Sequence, residues 1–179
     1  MKYLFLVLIA VSFSSGTRAQ TLNPQETGST VKFVIANLGF DVNGSFKGIK
    51  GSILFDEKNL PAASFNVTVN AETVNTGINA RDKHLRGEDY FNAAKFPLIR
   101  IQSVKVARST TAGYFVFFGK LTIRDQVKDI SFPFTTNTEG NGTRFKGNFK
   151  IKRRDFNVGG RSTVSNDVTI YLDVFSKKD

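Results

Sequence analysis

The chain has no cysteine and no tryptophan, and only one methionine and one histidine, among 179 residues. Without cysteine there is no disulfide framework, no thiolate metal site, no thiol nucleophile and no lipid-modified N-terminal cysteine. The one histidine, His84, has no second histidine or cysteine with which to complete a metal-ligand set or a catalytic dyad. Neither a Gly-x-Ser-x-Gly nucleophile elbow nor a phosphate-cradling glycine loop occurs. Also missing is the apolar run of ~20 residues that a helix needs to cross a bilayer. The apolar run Tyr3–Phe13 follows Met1-Lys2 and precedes Ser14, Ser15, Gly16 and then Thr17-Arg18-Ala19. A positive start, a short apolar stretch and a small-x-small site together read as a signal peptide cleaved after Ala19. Residues 1–19 are therefore assigned to a leader and 20–179 to one domain, located in the periplasm or secreted and without a spanning segment.

What the chain has in excess is phenylalanine, 18 residues of it. Phe buries much area with only two side-chain torsions, so walls built from it are stiff enough to hold a cavity open. The formal charge is +10 and falls to +8 once Lys2 and Arg18 leave with the leader. Such a surface attracts acidic polymers or head groups. The cations are scattered, however, and Arg144, Lys146, Lys150 and Lys152 read as the solvated face of one strand.

Period-two alternation dominates the chain, which is the signature of strands with one dry face. It is longest in Tyr114–Phe134. Phe115, Phe117, Gly119, Leu121 and Ile123 share one side and, after a polar turn at Asp125-Gln126, so do Ile130, Phe132 and Phe134. Val31, Phe33 and Ile35 mark a first strand, preceded by a polar entry segment, Leu22–Thr30. Ile49, Ile53 and Phe55 mark the next, with Gly44, Gly48 and Gly51 at positions where a curling sheet bends or bulges. Ala63, Phe65, Val67, Val69 and Ala71 alternate with small polar residues. Ile99 and Ile101 change parity with Val104 and Val106, which places a bulge near Ser103-Val104. Phe145, Phe149 and Ile151, then Val168, Ile170, Leu172 and Val174, complete the set. Ile78–Asn92 lacks alternation, is charged, and is the one helical candidate, with Gly87 weakening its middle. The expected fold is all-β: a closed eight-stranded antiparallel barrel, lipocalin-like, with one short helical insertion. Closure at that strand number leaves room for one small ligand. A transmembrane barrel is excluded because Lys, Arg, Asn and Ser stand where lipid-facing strands need apolar residues.

Four phrases in order span nearly the whole mature chain: Val42-Asn43-Gly44-Ser45-Phe46-Lys47-Gly48 with Gly51; Arg81-Asp82-Lys83-His84-Leu85-Arg86 running into Tyr90-Phe91-Asn92 and Phe96-Pro97; Gly119-Lys120-Leu121-Thr122-Ile123-Arg124; and Arg153-Arg154-Asp155-Phe156. Together they resemble the YceI-like family of exported lipid-binding barrels. The resemblance implies a lipocalin-like barrel with an elongated apolar pore able to take a polyisoprenoid chain, and a periplasmic location. The chain departs from the family pattern at Asn37, where a His or basic residue is common, and at Asp125 and Asn157, where Gly is usual. Asn tolerates the left-handed backbone that a Gly at position 157 would supply.

The expected ligand is a long apolar amphiphile, a polyisoprenoid, an isoprenoid quinone or a similar lipid, walled by Phe33, Phe65, Phe115, Phe117, Phe132, Phe145 and Phe149. Among these, Gly119, Gly147, Gly51 and Ala63 are expected to leave gaps. Two roles stay open for Arg81, Asp82, His84, Arg86, Arg153 and Asp155. They form a cationic cluster holding a phosphate or quinone head at the pore mouth, or Arg81–Asp82 and Arg153–Asp155 contacts lock the helix and the late loop onto the barrel. No catalytic residue, metal or cofactor other than a bound isoprenoid lipid is expected. The partners expected are an apolar lipid-like molecule and no nucleic acid; membrane contact would be transient, and a homodimer is left open. The alternative function is an exported scaffold whose basic surface binds an acidic polymer or a partner protein.

Overall fold

The computed structural model describes residues 21–178, and the leader assigned to residues 1–19 lies outside them. In chain order the strands and helix are β1 Thr21–Pro24, β2 Thr30–Asn37, β3 Phe40–Leu54, β4 Ser64–Asn75, α1 Asn79–Arg86, β5 Leu98–Arg108, β6 Phe115–Ile123, β7 Gln126–Glu139, β8 Gly142–Lys152 and β9 Val164–Lys178. Strands β2 to β9 form a ring of antiparallel neighbours, closed where β2 pairs with β9. This is the closed eight-stranded barrel with one helix that the alternation predicts.

The added strand is β1, within the expected entry segment. It continues the line of β2 between the ends of β3 and β9, with Thr21 opposite Leu54 and Leu22 opposite Lys178. Two buried positions, Leu22 and Pro24, are too few to register as alternation. Between β1 and β2, side chains replace the missing ladder: Glu26 Oε2 accepts from the Ile49 N–H at 2.8 Å and Ser29 Oγ from the Phe175 N–H at 2.9 Å. The helix is shorter than the predicted Ile78–Asn92 and stops at Gly87, whose high helix cost ends it there. The bulge in β5 is present as a register shift between Ser103 and Lys105. It leaves Val104 outside, 72% exposed, and returns Val106 to the core at 4%.

Inward positions are apolar and outward positions mostly polar, with Val104, Phe118, Val127 and Tyr171 among the exposed exceptions; a lipid-facing barrel shows the reverse. Phe65, Val67, Val69 and Ala71 of β4 are buried, as are Phe115, Phe117, Leu121 and Ile123 of β6. The β7–β8 pairing is partial. β7 and β8 pair only from Phe134 opposite Gly147 to Glu139 opposite Gly142, so Gln126–Pro133 and Asn148–Lys152 face each other without a ladder. Across that stretch Phe132 and Phe149 stack, with centroids 4.7 Å apart and planes at 17°.

The expected glycine gaps at 119 and 147 are filled. The Phe117 ring lies over Gly119 and the Phe132 ring over Gly147, so the glycines let phenyl rings lie flat against the wall. A Cβ on Gly119 would stand 2.3 Å from the Gln102 carbonyl oxygen and 2.5 Å from the Phe117 ring. The first of these is backbone and cannot swing away. Gly119→Ala is therefore expected to destabilise the barrel by about 1–3 kcal/mol through overpacking. A urea midpoint unchanged from the parent would show that the strands yield more easily than this contact implies.

Candidate ligand-binding cavity

The two ends of the barrel differ. One end carries the β3–β4, β5–β6 and β7–β8 connections. There Phe55 sits edge-on against Phe115, Phe145, Phe134 and Phe65, at centroid distances of 5.1, 5.5, 6.0 and 6.2 Å. Edge-to-face rings at such distances attract through their quadrupoles beyond simple burial, and the five together plug the bore. Above the plug is a cavity of about 380 Å3, within the ~300–1,000 Å3 usual for small-molecule sites. Its floor is Phe65, Phe134 and Phe145; its sides include Phe33, Phe117, Phe132 and Phe149, with Val67, Ile101, Leu121, Ile170 and Leu172.

Of the seven rings proposed as walls, six line this cavity. The exception is Phe115, which is 4% exposed and packs on Phe55 and Phe134 within the plug. Alternation places Phe115 on the dry face but carries no information on its height along the barrel, so wall and plug look alike in sequence. Phe46, Leu85, Tyr90 and Phe91 also line the cavity, where strand alternation alone does not mark them as wall. Arg81, His84 and Leu85 stand at helical spacing, which was the available signal for a face of α1 turned to the bore.

The other end is the mouth. It gathers the β2–β3 turn, α1 and the segment after it, the β6–β7 turn and the β8–β9 connection. Polar groups meet the cavity there: Asn37, Thr76, Arg81, His84 and Arg153. Arg81 and His84 therefore face the bore, while Asp82, Arg86 and Asp155 are not among the lining residues. His84 packs its ring on Tyr90, centroids 4.8 Å apart.

Neither expected lock forms as an arginine–aspartate pair. Adjacent helical residues do not face each other, and Arg81 instead donates from Nε to Thr76 Oγ1 at 2.7 Å and from Nη2 to the Thr76 carbonyl at 2.8 Å. Asp82, 4% exposed, accepts from the Thr76 N–H at 2.8 Å and the Thr76 hydroxyl at 2.5 Å. Thr76 is thus the clasp between β4 and the helix. Arg86 reaches back to β4, donating to the Glu72 carbonyl at 2.7 Å, with the Glu72 carboxylate 3.6 Å away. Asp155 is exposed.

Arg153 is buried, 4% exposed, and its hydrogen-bond partners are loop carbonyls and one hydroxyl. Nε donates to the Ser165 carbonyl at 2.8 Å, and Nη1 to the carbonyls of Val158 at 2.8 Å, Gly159, and Gly160 at 3.2 Å. Nη2 donates to Ser162 Oγ and the Val164 carbonyl, both at 3.0 Å. Burial, then the nearby Arg154, pulls the Arg153 pKa below that of a free arginine, yet a guanidinium remains charged at any physiological pH. This one side chain organises the whole β8–β9 connection. Asn157 within it takes the left-handed conformation (φ 55°) expected of a Gly replacement. At the β6–β7 turn the left-handed residue is Arg124 (φ 58°) rather than Asp125. Arg124 Nη1 donates to the carbonyls of Tyr90 and Asn157, tying three mouth segments together.

Among the described residues, no group of three or more His, Cys, Asp or Glu side chains could hold a metal ion. No helix among them is long and apolar enough to cross a membrane.

Comparison with known proteins agrees with this architecture. A UPF0312 protein of Yersinia pestis is 34% identical over 163 residues, covering 86% of this chain and 84% of its own. Among solved structures, Burkholderia cenocepacia BcnA superposes with a TM-score of 0.79 at 25% identity, covering 85% of this chain and 98% of BcnA. A polyisoprenoid binding domain from Saccharophagus degradans, implicated in plant cell wall breakdown, shares the fold with a TM-score of 0.72 at 14% identity, over 89% of this chain and 99% of its own. The model of the YceI-like domain matches residues 21–175, and the chain belongs to that family.

Proposed function

We propose that the protein is an exported binder or carrier of a long apolar amphiphile, a polyisoprenoid, an isoprenoid quinone or a similar lipid, held tail-down in the barrel. The observation that carries this reading is the cavity of about 380 Å3, lined mainly by aromatic and aliphatic side chains, with Asn37, Thr76, Arg81, His84 and Arg153 gathered at its mouth. A hydrocarbon tail gains ~25 cal/mol for each Å2 it hides there, and the polar rim leaves a head group where water still reaches it. The Saccharophagus domain named for polyisoprenoid binding has the same fold, which makes such a ligand a natural first probe. The leader read in residues 1–19 supports export, to the periplasm or outside the cell. Binding is non-covalent, and a binder rather than an enzyme is in keeping with the YceI-like family and with the polyisoprenoid binding domain that shares the fold.

The test is native mass spectrometry and solvent extraction of protein purified from its own host, followed by uptake of added geranylgeraniol. A co-purifying prenyl lipid or stoichiometric uptake is expected. Empty protein that takes up nothing would leave the exposed basic residues, and binding to an acidic polymer or partner, as the function.

A further inference from the structure

The β2–β3 turn stands at the mouth end and carries two of the most exposed large apolar side chains among the described residues, Leu38 at 71% and Phe40 at 78%. The two turn residues are Leu38 and Gly39, with φ of 51° and 84°. In a hairpin of this hand the first position suits Asn or Asp, and a leucine there is strained by its own backbone. Neither folding nor solubility accounts for Leu38, since the turn would be better formed and better hydrated with asparagine. Ile78, 54% exposed, is a second case: it occupies the N-cap of α1 at the same end, a position that favours Ser, Thr, Asp or Asn.

Phe40 continues inward. It shares its face of β3 with Val42 and Phe46, both of which line the cavity. An apolar track therefore runs from the exposed β2–β3 turn over the rim and into the bore. The same rim carries exposed Lys83, Arg154 and Arg161 interleaved with exposed Asp41, Glu88, Asp89, Asp125 and Asp155, and the chain without its leader carries a formal charge of +8.

We propose that the mouth end docks on an anionic lipid bilayer, with Leu38 and Phe40 entering its interfacial layer and Ile78 resting on it. The positive charge draws the protein to the surface, and the apolar tip selects which end meets it. A tail then passes between bilayer and cavity along the Phe40 side of the rim without crossing open water. This rests on the reading of the cavity as a lipid site, and it adds where the lipid is loaded.

The test is co-sedimentation of the protein, purified from its host, with phosphatidylglycerol–phosphatidylethanolamine vesicles, compared with the Leu38→Asn/Phe40→Thr double variant. Asn suits the left-handed turn, so the variant is expected to melt at or above the parent temperature. The double variant is expected to lower the vesicle-bound fraction at least tenfold and to slow geranylgeraniol transfer from vesicles, while uptake of geranylgeraniol from detergent stays at parent level. Parent protein that ignores anionic vesicles, equal binding by parent and variant, or a parent dimer that the variant dissolves would each overturn the proposal. Failure of uptake from detergent by both proteins instead counts against the cavity as a lipid site, and is read independently of the sedimentation.

Discussion

Replacing Ile101 and Ile170 together by tryptophan is expected to abolish lipid uptake while leaving a folded barrel. The two residues lie on β5 and β9, which are diametrically opposite in a ring of eight strands, and both line the cavity. Neither is fully buried: each packs on the core cluster and still turns surface toward the cavity. Added indole rings therefore grow into empty space instead of into packed core, and the overpacking penalty of a filled interior does not apply in full. The effect on binding is large by simple area. A tail that hides roughly 300 Å2 of apolar surface gains about 7 kcal/mol before ordering costs, and forfeiting half of that weakens binding by ~100-fold or more. Titration with a fluorescent prenyl probe, alongside a melting curve, reads both quantities. A folded double variant that takes up the probe as tightly as the parent would mean that the lipid binds somewhere other than the bore.

The largest loss of stability is expected from Arg153→Met. The methionine keeps most of the apolar stem and removes the guanidinium, leaving the carbonyls of Val158, Gly159, Gly160, Val164 and Ser165 without their donor. A buried acceptor left without its donor costs about 1–3 kcal/mol, and several are vacated at once here, a large share of what a domain of this size has to lose. Arg153→Lys is expected to recover little: an ammonium has three donors on a point, whereas this loop is wrapped around a planar fork. Urea unfolding of both variants is the measurement. A loss below about 1 kcal/mol in Arg153→Met would show that the loop carbonyls find water readily, and that the guanidinium is a passenger rather than the organiser of the connection.

These two sites mark what could be read from the sequence and what could not. The dry faces were legible because alternation survives in strands of nine to fifteen residues such as β6, β3 and β9, and the change of parity at Ser103-Val104 located the bulge. β1 was not legible, since four residues cannot establish a period. The wall was legible residue by residue but its depth was not, which is why Phe115 was counted with the cavity. The arginines stand out in the sequence, but their partners do not: Arg81 bonds to Thr76 and Arg153 to main-chain carbonyls. Nearness in sequence suggested Asp82 for Arg81 and Asp155 for Arg153, whereas a helix turns adjacent side chains apart and a loop offers an arginine many carbonyls at once. A guanidinium satisfied by main-chain oxygens leaves no trace in side-chain identity, because every residue type supplies the same acceptor.

The Phe55 plug stops the bore at one end, so a guest taken up as proposed enters and leaves at the mouth. A guest must leave by the route it entered, so exchange proceeds by withdrawal, and two guests cannot pass one another. A dead-ended sleeve is also a gauge: once a tail's tip touches the rings at the bottom, any further length remains outside, and added carbons bring no added hold. Affinity across a homologous series should therefore climb with chain length and then level off, and the carbon number at the shoulder would report the depth of the sleeve.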